Sequence, residues 1–511
     1  MAGALTKIQA VIIVLIIVIA AVLSIAILTM QKQGQVVTTT SPTLTETSPT
    51  QTEVSSPSPT ETLEEYEIVI GNVSLKVSRE FKEFVDKVKA GEISVKIYFG
   101  HALAEHERSA FVKVLNMFNQ EFPGIVVEEL PYASMDLLKS QISAIATLLP
   151  EQREGHIGKV PDVFTWAHDW IGSFADKGWI IPLEKVLDEE AINEIRTMLL
   201  PIAFESVRYK LKTYGLPYAG EAIALIINKK LVDTVPTTFS EMKSIMEEFY
   251  DPVNERYGLS LQFDPYHIYP FITAFGGYYY DPGKENIYER FGVNSTRTKQ
   301  GVEFFIRNVL RYMDYSSLSG ERQLSLFTAN RTPMIITGPW NLPAINGSIG
   351  LENVVIVPIP SIDDKIPRPF SGFRNLYLTI MAETGGINRL YATVLFVLYI
   401  SLNDNVLKIL VDENNYIPVK ISVIDYVIEN KDKYSIVYGF YQQILRSIPM
   451  PNDPLMDMAW GVGTYLNAII GEFTNAIAAG KSLDEAIEQA VAVINEKLDE
   501  GYARIIGSLS G

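Results

Sequence analysis

Between Lys7 and Lys32 the chain carries no charge, and the run Ile8 to Met30, IQAVIIVLIIVIAAVLSIAILTM, is apolar almost throughout. A helix of this length crosses the roughly 30 Å of hydrocarbon in a bilayer. A cleavable secretion signal has a shorter apolar region of roughly 7 to 15 residues, so residues 1–30 read as a retained anchor or leader helix. An archaeal flagellin-like leader, cut ahead of the run, would leave the same stretch in place. The following segment, Thr38 to Thr62, is Ser, Thr, Pro and Glu with almost no apolar side chain. It cannot bury a core, and residues 31–62 read as an extended, O-glycosylated type of stalk. The globular part therefore starts beyond the stalk, outside the cell. N-x-S/T sequons at Asn72, Asn294, Asn330 and Asn346 fit an exposed glycoprotein.

A chain of 511 residues exceeds one ordinary core and predicts two or more domains. Its 60 acidic against 43 basic residues, a net charge of -17, exclude nucleic acid and an anionic membrane surface as partners. The absence of cysteine excludes disulfides, thiolate catalysis, cysteine-ligated zinc and a lipid-modified cysteine tether. His101 and His106 share one loop, but no matching cluster accompanies them, so no metal and no cofactor is expected.

After the stalk, residues 63–92 hold a strand-like piece (Tyr66 to Ile70) and a charged helix with Phe81, Phe84, Val85 and Val88 at helical spacing, an accessory segment without an assigned function. The main domain opens at Ile93 with SVKIYFGHA, followed by a helix whose Phe111, Leu115, Phe118 and Phe122 recur every three or four residues. Pro123-Gly124 ends that helix and IVVEEL follows, so strand, helix and strand predict a right-handed parallel unit. A second helix from about Met135 to Leu149 leads through the loop PEQREGHIGKV to the strand Val163-Phe164. That strand runs into Trp166-Ala167-His168-Asp169-Trp170 and a helix closed by Lys177-Gly178. Aromatic faces beside a carboxylate at a strand's C-terminal end form a binding arrangement in open α/β sheets. A sugar ring presses its C–H face on an aromatic while its hydroxyls donate to a carboxylate. The competing reading makes both tryptophans core residues and Asp169 a helix cap.

PDVFTWAHDW resembles the PDIIFWAHD segment of the maltose and maltodextrin-binding proteins that serve ATP-binding cassette importers, and four later segments extend the resemblance in the same order. LKTYGLPYAGEAIALIINKKL is similar to the family's first inter-lobe crossing and carries Pro217, Tyr218 and Glu221. LQFDPYHIYPFITAFGGYYY resembles LQEPYFTWPLIAADGGYAF, with Asp264 in place of Glu and Tyr269 in place of Trp. NRTPMIITGPW ends at Trp340 as the family's strand ends in GPW. MPNDPLMDMAWGVGTYLNAII puts Trp460 at a stacking tryptophan. VVIVPIP and RPFSGFRNLYLTIM resemble the chain's return to the first lobe, with Arg374 free either to donate to a sugar or to pair with an acid. Two departures stand out: GHALAEHE replaces an Asp-Lys pair, and Trp170 replaces a sugar-contacting arginine.

The resemblance implies an α/β, two-lobed periplasmic-binding-protein-like fold with a hinge and an inter-lobe cleft. Lobe 1 would comprise 93–218 and 371–425, lobe 2 222–368 and 430–511, with crossings near Tyr218 to Glu221, Pro369 to Arg374 and Pro418 to Asp432. The expected ligand-binding residues are Trp166, Asp169, Glu221, Asp264, Tyr266, Tyr269, Trp340 and Trp460, with Trp170, Tyr218 and Arg374 as further candidates. The implied function is extracellular binding of a neutral di- or oligosaccharide, of maltose, maltodextrin or trehalose type, by an archaeal-type, membrane-tethered monomeric ectodomain. The sugar would pass to the membrane subunits of an ATP-binding cassette permease, with no catalysis. The alternatives are the same fold binding a peptide or polyol, or a secreted glycoside hydrolase, which needs two acids about 5 to 10 Å apart across one bond. An adhesion or surface-layer protein would show repeats or a second anchor. Leu390 to Ser401 is apolar all round but too short to span a bilayer, and predicts a buried helix. Ser482 to Glu485 is a capping box, opening a helix with Leu483, Ile487, Ala490, Ile494 and Leu498 on one face.

Overall fold

Residues 66–509 are described by the computed structural model, and the anchor expected at 8–30 and the stalk at 31–62 lie outside them. The described chain opens with a hairpin, β1 (Tyr66–Ile70) and β2 (Val73–Val77), turned by Gly71, whose φ of 57° suits glycine. The helix Arg79–Lys89 follows, capped by Ser78 Oγ, and buries Phe81, Phe84, Val85 and Val88. The Phe81 and Phe84 rings lie 5.2 and 5.4 Å from Tyr391 of the helix Ile387–Leu402. The segment expected to be accessory is thus part of the first core, and its second strand escaped the sequence reading.

β3 (Val95–His101), the helix Glu105–Glu121 and β4 (Ile125–Pro131) form the expected parallel unit, with Phe111, Val114, Leu115 and Phe118 turned inward. β5 (Val163–Ala167) pairs parallel to β3 on its other side. β6 (Ile180–Ile181) is short, and β7 (Arg208–Tyr209) with β8 (Lys212–Thr213) makes a separate small hairpin. β9 (Leu216–Ala222) is separated from β10 (Ala224–Asn228) by Ile223 alone. β11 (Ser260–Leu261), β12 (Met334–Thr337) and β13 (Val354–Val357) join β10 in a four-stranded sheet of order β11-β12-β10-β13. β14 (Phe370–Thr379) returns to the larger sheet, of order β15-β14-β5-β3-β4, where it also pairs with β6 and β9; β15 is Ile448–Pro449.

β10 shows how one strand serves two layers: Ala224 and Ile226 enter the core shared with the large sheet, while Leu225 and Ile227 enter a second core. That alternation is the period of two of a β-strand buried on both faces. The second core is closed by the helices Val462–Ala478 and Leu483–Leu509, with Phe473, Ile487 and Leu498 inside. Ser482 Oγ accepts from Glu485 N while the Glu485 carboxylate accepts from Ser482 N, completing the capping box. The result is a two-lobed α/β fold.

Three stretches connect the sheets: Ile223 between β9 and β10, residues 358–369 between β13 and β14, and the segment beyond β15 that leads into the helix Met456–Trp460. The third crossing, expected at Pro418 to Asp432, falls mostly on a helix, Ile421–Glu429, and the chain meets β14 again later, at Ile448. The helix Ile387–Leu402 is buried along its length, and its Phe396 ring meets Phe118 edge-on at 5.2 Å. Among the described residues no single helix is long and apolar enough to cross a membrane.

Candidate functional site

At the end of β5 the chain tightens into a single 3-10 turn, His168–Trp170, before the helix Ile171–Asp176. Val163 and Phe164 hold the strand in the core, and Thr165 Oγ1 bonds the Tyr218 hydroxyl at 2.7 Å. His168 is buried; its Nδ1 accepts from Phe373 N at 3.2 Å, so the proton sits on Nε2, which donates to the Met450 carbonyl at 2.6 Å. Burial lowers its pKa to about 4, keeping the ring neutral.

Asp169 follows directly. Burial pushes its pKa up to about 6; Asp457 and Glu221 push the same way as like charges, while its own backbone N–H and Lys139 oppose them. Its Oδ1 is sealed from solvent and takes no hydrogen bond among the described residues, and the same holds for the Trp166 indole N–H. An unsatisfied buried acceptor and an unsatisfied buried donor each carry a desolvation cost that a ligand's hydroxyls can relieve. Trp170 packs behind Trp166 at 5.3 Å, stacks on Phe174 at 5.2 Å and has the Lys139 ammonium 4.8 Å from its ring. It forms the backing of the wall.

The opposite wall is built on the helix Pro265–Ala274. Asp264 is its N-cap and accepts from both His267 N (2.7 Å) and His267 Nδ1 (2.9 Å), so its carboxylate is turned partly onto the helix. Tyr266 donates to the Phe370 carbonyl at 3.3 Å. Tyr269, one turn on, is only 2% exposed and stacks on Phe370 with centroids 3.7 Å apart and planes 7° from parallel. It lies beneath the floor, because the Phe370 ring occupies the face that a sugar would need. Gly338-Pro339 lets Trp340 fold back over its own backbone: a Cβ at Gly338 would stand 2.1 Å from the indole. Trp340 is 42% exposed, with its ring 6.2 Å from Tyr266. Trp460, half-buried at the end of its short helix, lies 6.3 Å from Phe370.

At the crossing, Arg374 pairs with Glu221 and donates through Nη1 to Glu107 (2.6 Å) and to the Tyr416 hydroxyl (2.9 Å). Burial alone would raise the Glu107 carboxyl, but Arg374 and hydrogen bonds from Ala104 N and Tyr416 hold it below its ordinary value.

These walls enclose a cavity of about 470 Å³, within the range of small-ligand sites. Trp166, Asp169, Glu221, Asp264, Tyr266, Trp340 and Trp460 all face it. Tyr269 does not, nor do Trp170, Tyr218 and Arg374; the last two line an adjoining cavity of about 340 Å³ that shares Trp166, Glu221 and Trp340. His168, His267, Met450 and Asp457 also line the main cavity and were not among the expected site residues, although all but Met450 stand within three residues of one. Ser371 joins them with an unpartnered, sealed hydroxyl. Among the described residues no group of three or more His, Asp and Glu could hold a metal ion.

Comparison with known proteins gives a consistent result. The family model described as bacterial extracellular solute-binding protein matches residues 104–384. A maltotriose-binding protein of Pyrococcus abyssi is 35% identical over 313 residues, 60% of this chain and 64% of its own length, so the match spans less than two thirds of that relative. A galactooligosaccharide-binding protein of Bacillus subtilis is 25% identical over 358 residues, 67% of this chain and 79% of that protein. Among solved structures, a cyclo/maltodextrin-binding protein complexed with maltotetraose superposes with a TM-score of 0.61 at 25% identity, covering 79% of this chain and 97% of that one. An extracellular solute-binding protein from Staphylococcus aureus in complex with maltose has the same fold, with a TM-score of 0.62 at 21% identity over 81% of this chain and 98% of that one.

Proposed function

This chain belongs to the bacterial extracellular solute-binding protein family, and we propose that it captures a neutral di- or oligosaccharide of maltose, maltodextrin or trehalose type and hands it to an ATP-binding cassette permease. The observation that carries this reading is the pairing, in one cavity, of indole and phenol faces with a sealed acceptor on Asp169 and a sealed donor on Trp166. A pyranose supplies what each lacks: an apolar ring face for Trp340 and Trp460, and hydroxyls that both donate and accept. The names of the relatives, for maltotriose and for galactooligosaccharides, support the ligand class without choosing the linkage.

Ligand contacts to both lobes would favour a closed state by their differential affinity, and closure is the signal the permease reads. Residues 8–30 would hold the protein to the membrane and residues 31–62 would let it reach. The test is a thermal-shift screen of the chain against mono-, di- and oligosaccharides. A ligand at 100 times its Kd stabilises by about 2.7 kcal/mol, which such a screen resolves. A protein that shifts with peptides or polyols and with no sugar would overturn the ligand class.

A further inference from the structure

The main cavity presents four carboxylates, Asp169, Glu221, Asp264 and Asp457, and among its described lining residues no lysine or arginine. One of the four is paired with a cation and another is engaged in hydrogen bonds. Glu221 is paired with Arg374, which approaches through the adjoining cavity and divides its charge between Glu221 and Glu107. Asp264 accepts hydrogen bonds from His267 N and Nδ1. Asp169 and Asp457 have no such partner, the first at the end of β5 and the second exposed at the cavity's edge on the helix Met456–Trp460. The cation that Asp169 senses, Lys139, holds its ammonium over the rings of Trp170 and Phe174, behind the wall.

We propose that Asp457 is a specificity-determining residue that, together with Asp169, makes the cleft a charge filter, admitting neutral and amino-substituted sugars and rejecting uronic acids and sugar phosphates. This rests on the sugar-binding reading of the cleft and narrows its ligand class. A ligand carboxylate has no proton to give the unpartnered Asp169 Oδ1 and meets like charge from two elements of the wall, the kind of juxtaposition that excludes wrong partners. An ammonium brings three donors and the opposite charge. Glu221 adds to the same field, while Arg374 reduces it from the far side.

The test is calorimetric titration of the full-length chain with maltotriose and with its singly carboxylated and singly aminated analogues, ring by ring. At low salt the least favourable carboxylated analogue is expected to bind roughly a hundredfold more weakly than maltotriose, and aminated analogues at least as well as carboxylated ones at every position. Asp457→Asn should narrow the neutral-to-anionic ratio roughly tenfold; an unchanged ratio overturns the proposal. If maltotriose does not bind the wild-type chain, the sugar reading fails in its maltose form, and the filter is then decided without ligand. Carboxyl-carbon NMR titration of Asp169 in the full-length chain should show its midpoint fall in Asp457→Asn, and a midpoint that stays put removes Asp457 from the filter.

Discussion

The His168 imidazole donates to the Met450 carbonyl at 2.6 Å and accepts from Phe373 N at 3.2 Å, so one buried neutral ring ties the end of β5 to both β14 and the segment after β15. Asp169 is the next residue, and its position in the cleft depends on that tie. Met450 itself lines the cavity. Replacing His168 by Leu strands a buried N–H and a buried carbonyl, and is expected to cost roughly 2 to 4 kcal/mol of stability. Chemical denaturation measures it; a cost within 0.5 kcal/mol, about that of a surface change, would mean that water or repacking replaces the tie.

His168 and Asp169 also set opposite pH dependences. His168 titrates near 4 in the fold and at 6.5 ordinarily, so between those values the unfolded chain binds the extra proton and stability falls as pH falls. Asp169 titrates near 6 in the fold and at 3.8 ordinarily, so between those values the folded chain binds the extra proton and stability rises as pH falls. Their windows overlap between about pH 4 and 6, where the two effects offset. Asp169→Asn should expose the His168 slope, making the protein lose stability more steeply than wild type from pH 6 to 4. Melting temperatures of the two proteins across that range decide it, and parallel curves would show that Asp169 is not shifted as described.

Glu221→Gln keeps the side chain's shape but leaves Arg374 with Glu107 as its remaining carboxylate partner. A charge-assisted acceptor becomes a neutral amide, and sugar affinity is expected to fall by about 1 to 3 kcal/mol with the fold intact. Titration calorimetry reads the loss, and an unchanged affinity takes Glu221 out of the site.

How much of this was legible in the sequence depended on the distance over which each feature is decided. Trp166, Asp169 and Trp340 sit at strand ends, and a strand running into an aromatic and a carboxylate can be recognised locally. Asp264 was legible as a carboxylate, and the Asp264-Pro265 pair also carried the N-cap and first-turn proline signature of its second duty. Tyr266 and Tyr269 are one turn apart on one helix, and only the arrival of Phe370 from a distant strand decides which ring meets the cavity. Asp457 and Met450 lay inside a quoted segment, yet their roles arise when the chain after β15 is brought against β5. No local pattern encodes that approach.

Trp340 and Tyr269 separate a platform ring from a core ring. Trp340 is 42% exposed and held by the Gly338-Pro339 turn, whereas Tyr269 is 2% exposed and stacked flat on Phe370. Truncating a buried ring leaves a cavity in addition to the lost transfer energy, so Tyr269→Ala should cost about 3 to 5 kcal/mol of stability. Its effect on sugar binding should follow from that loss. Trp340→Ala removes a ring that already stands largely in solvent, so the unliganded melting temperature should stay close to wild type while sugar binding is lost, because the pyranose face no longer has an indole to leave water against. Trp460, half-buried against Phe370, should fall between them, with a moderate stability cost and weakened binding. Melting curves with and without maltotriose for the three variants make the comparison. If Trp340→Ala melts early and still binds sugar once folded, the ring is structural and the aromatic platform must be sought at Tyr266 and Trp166 instead.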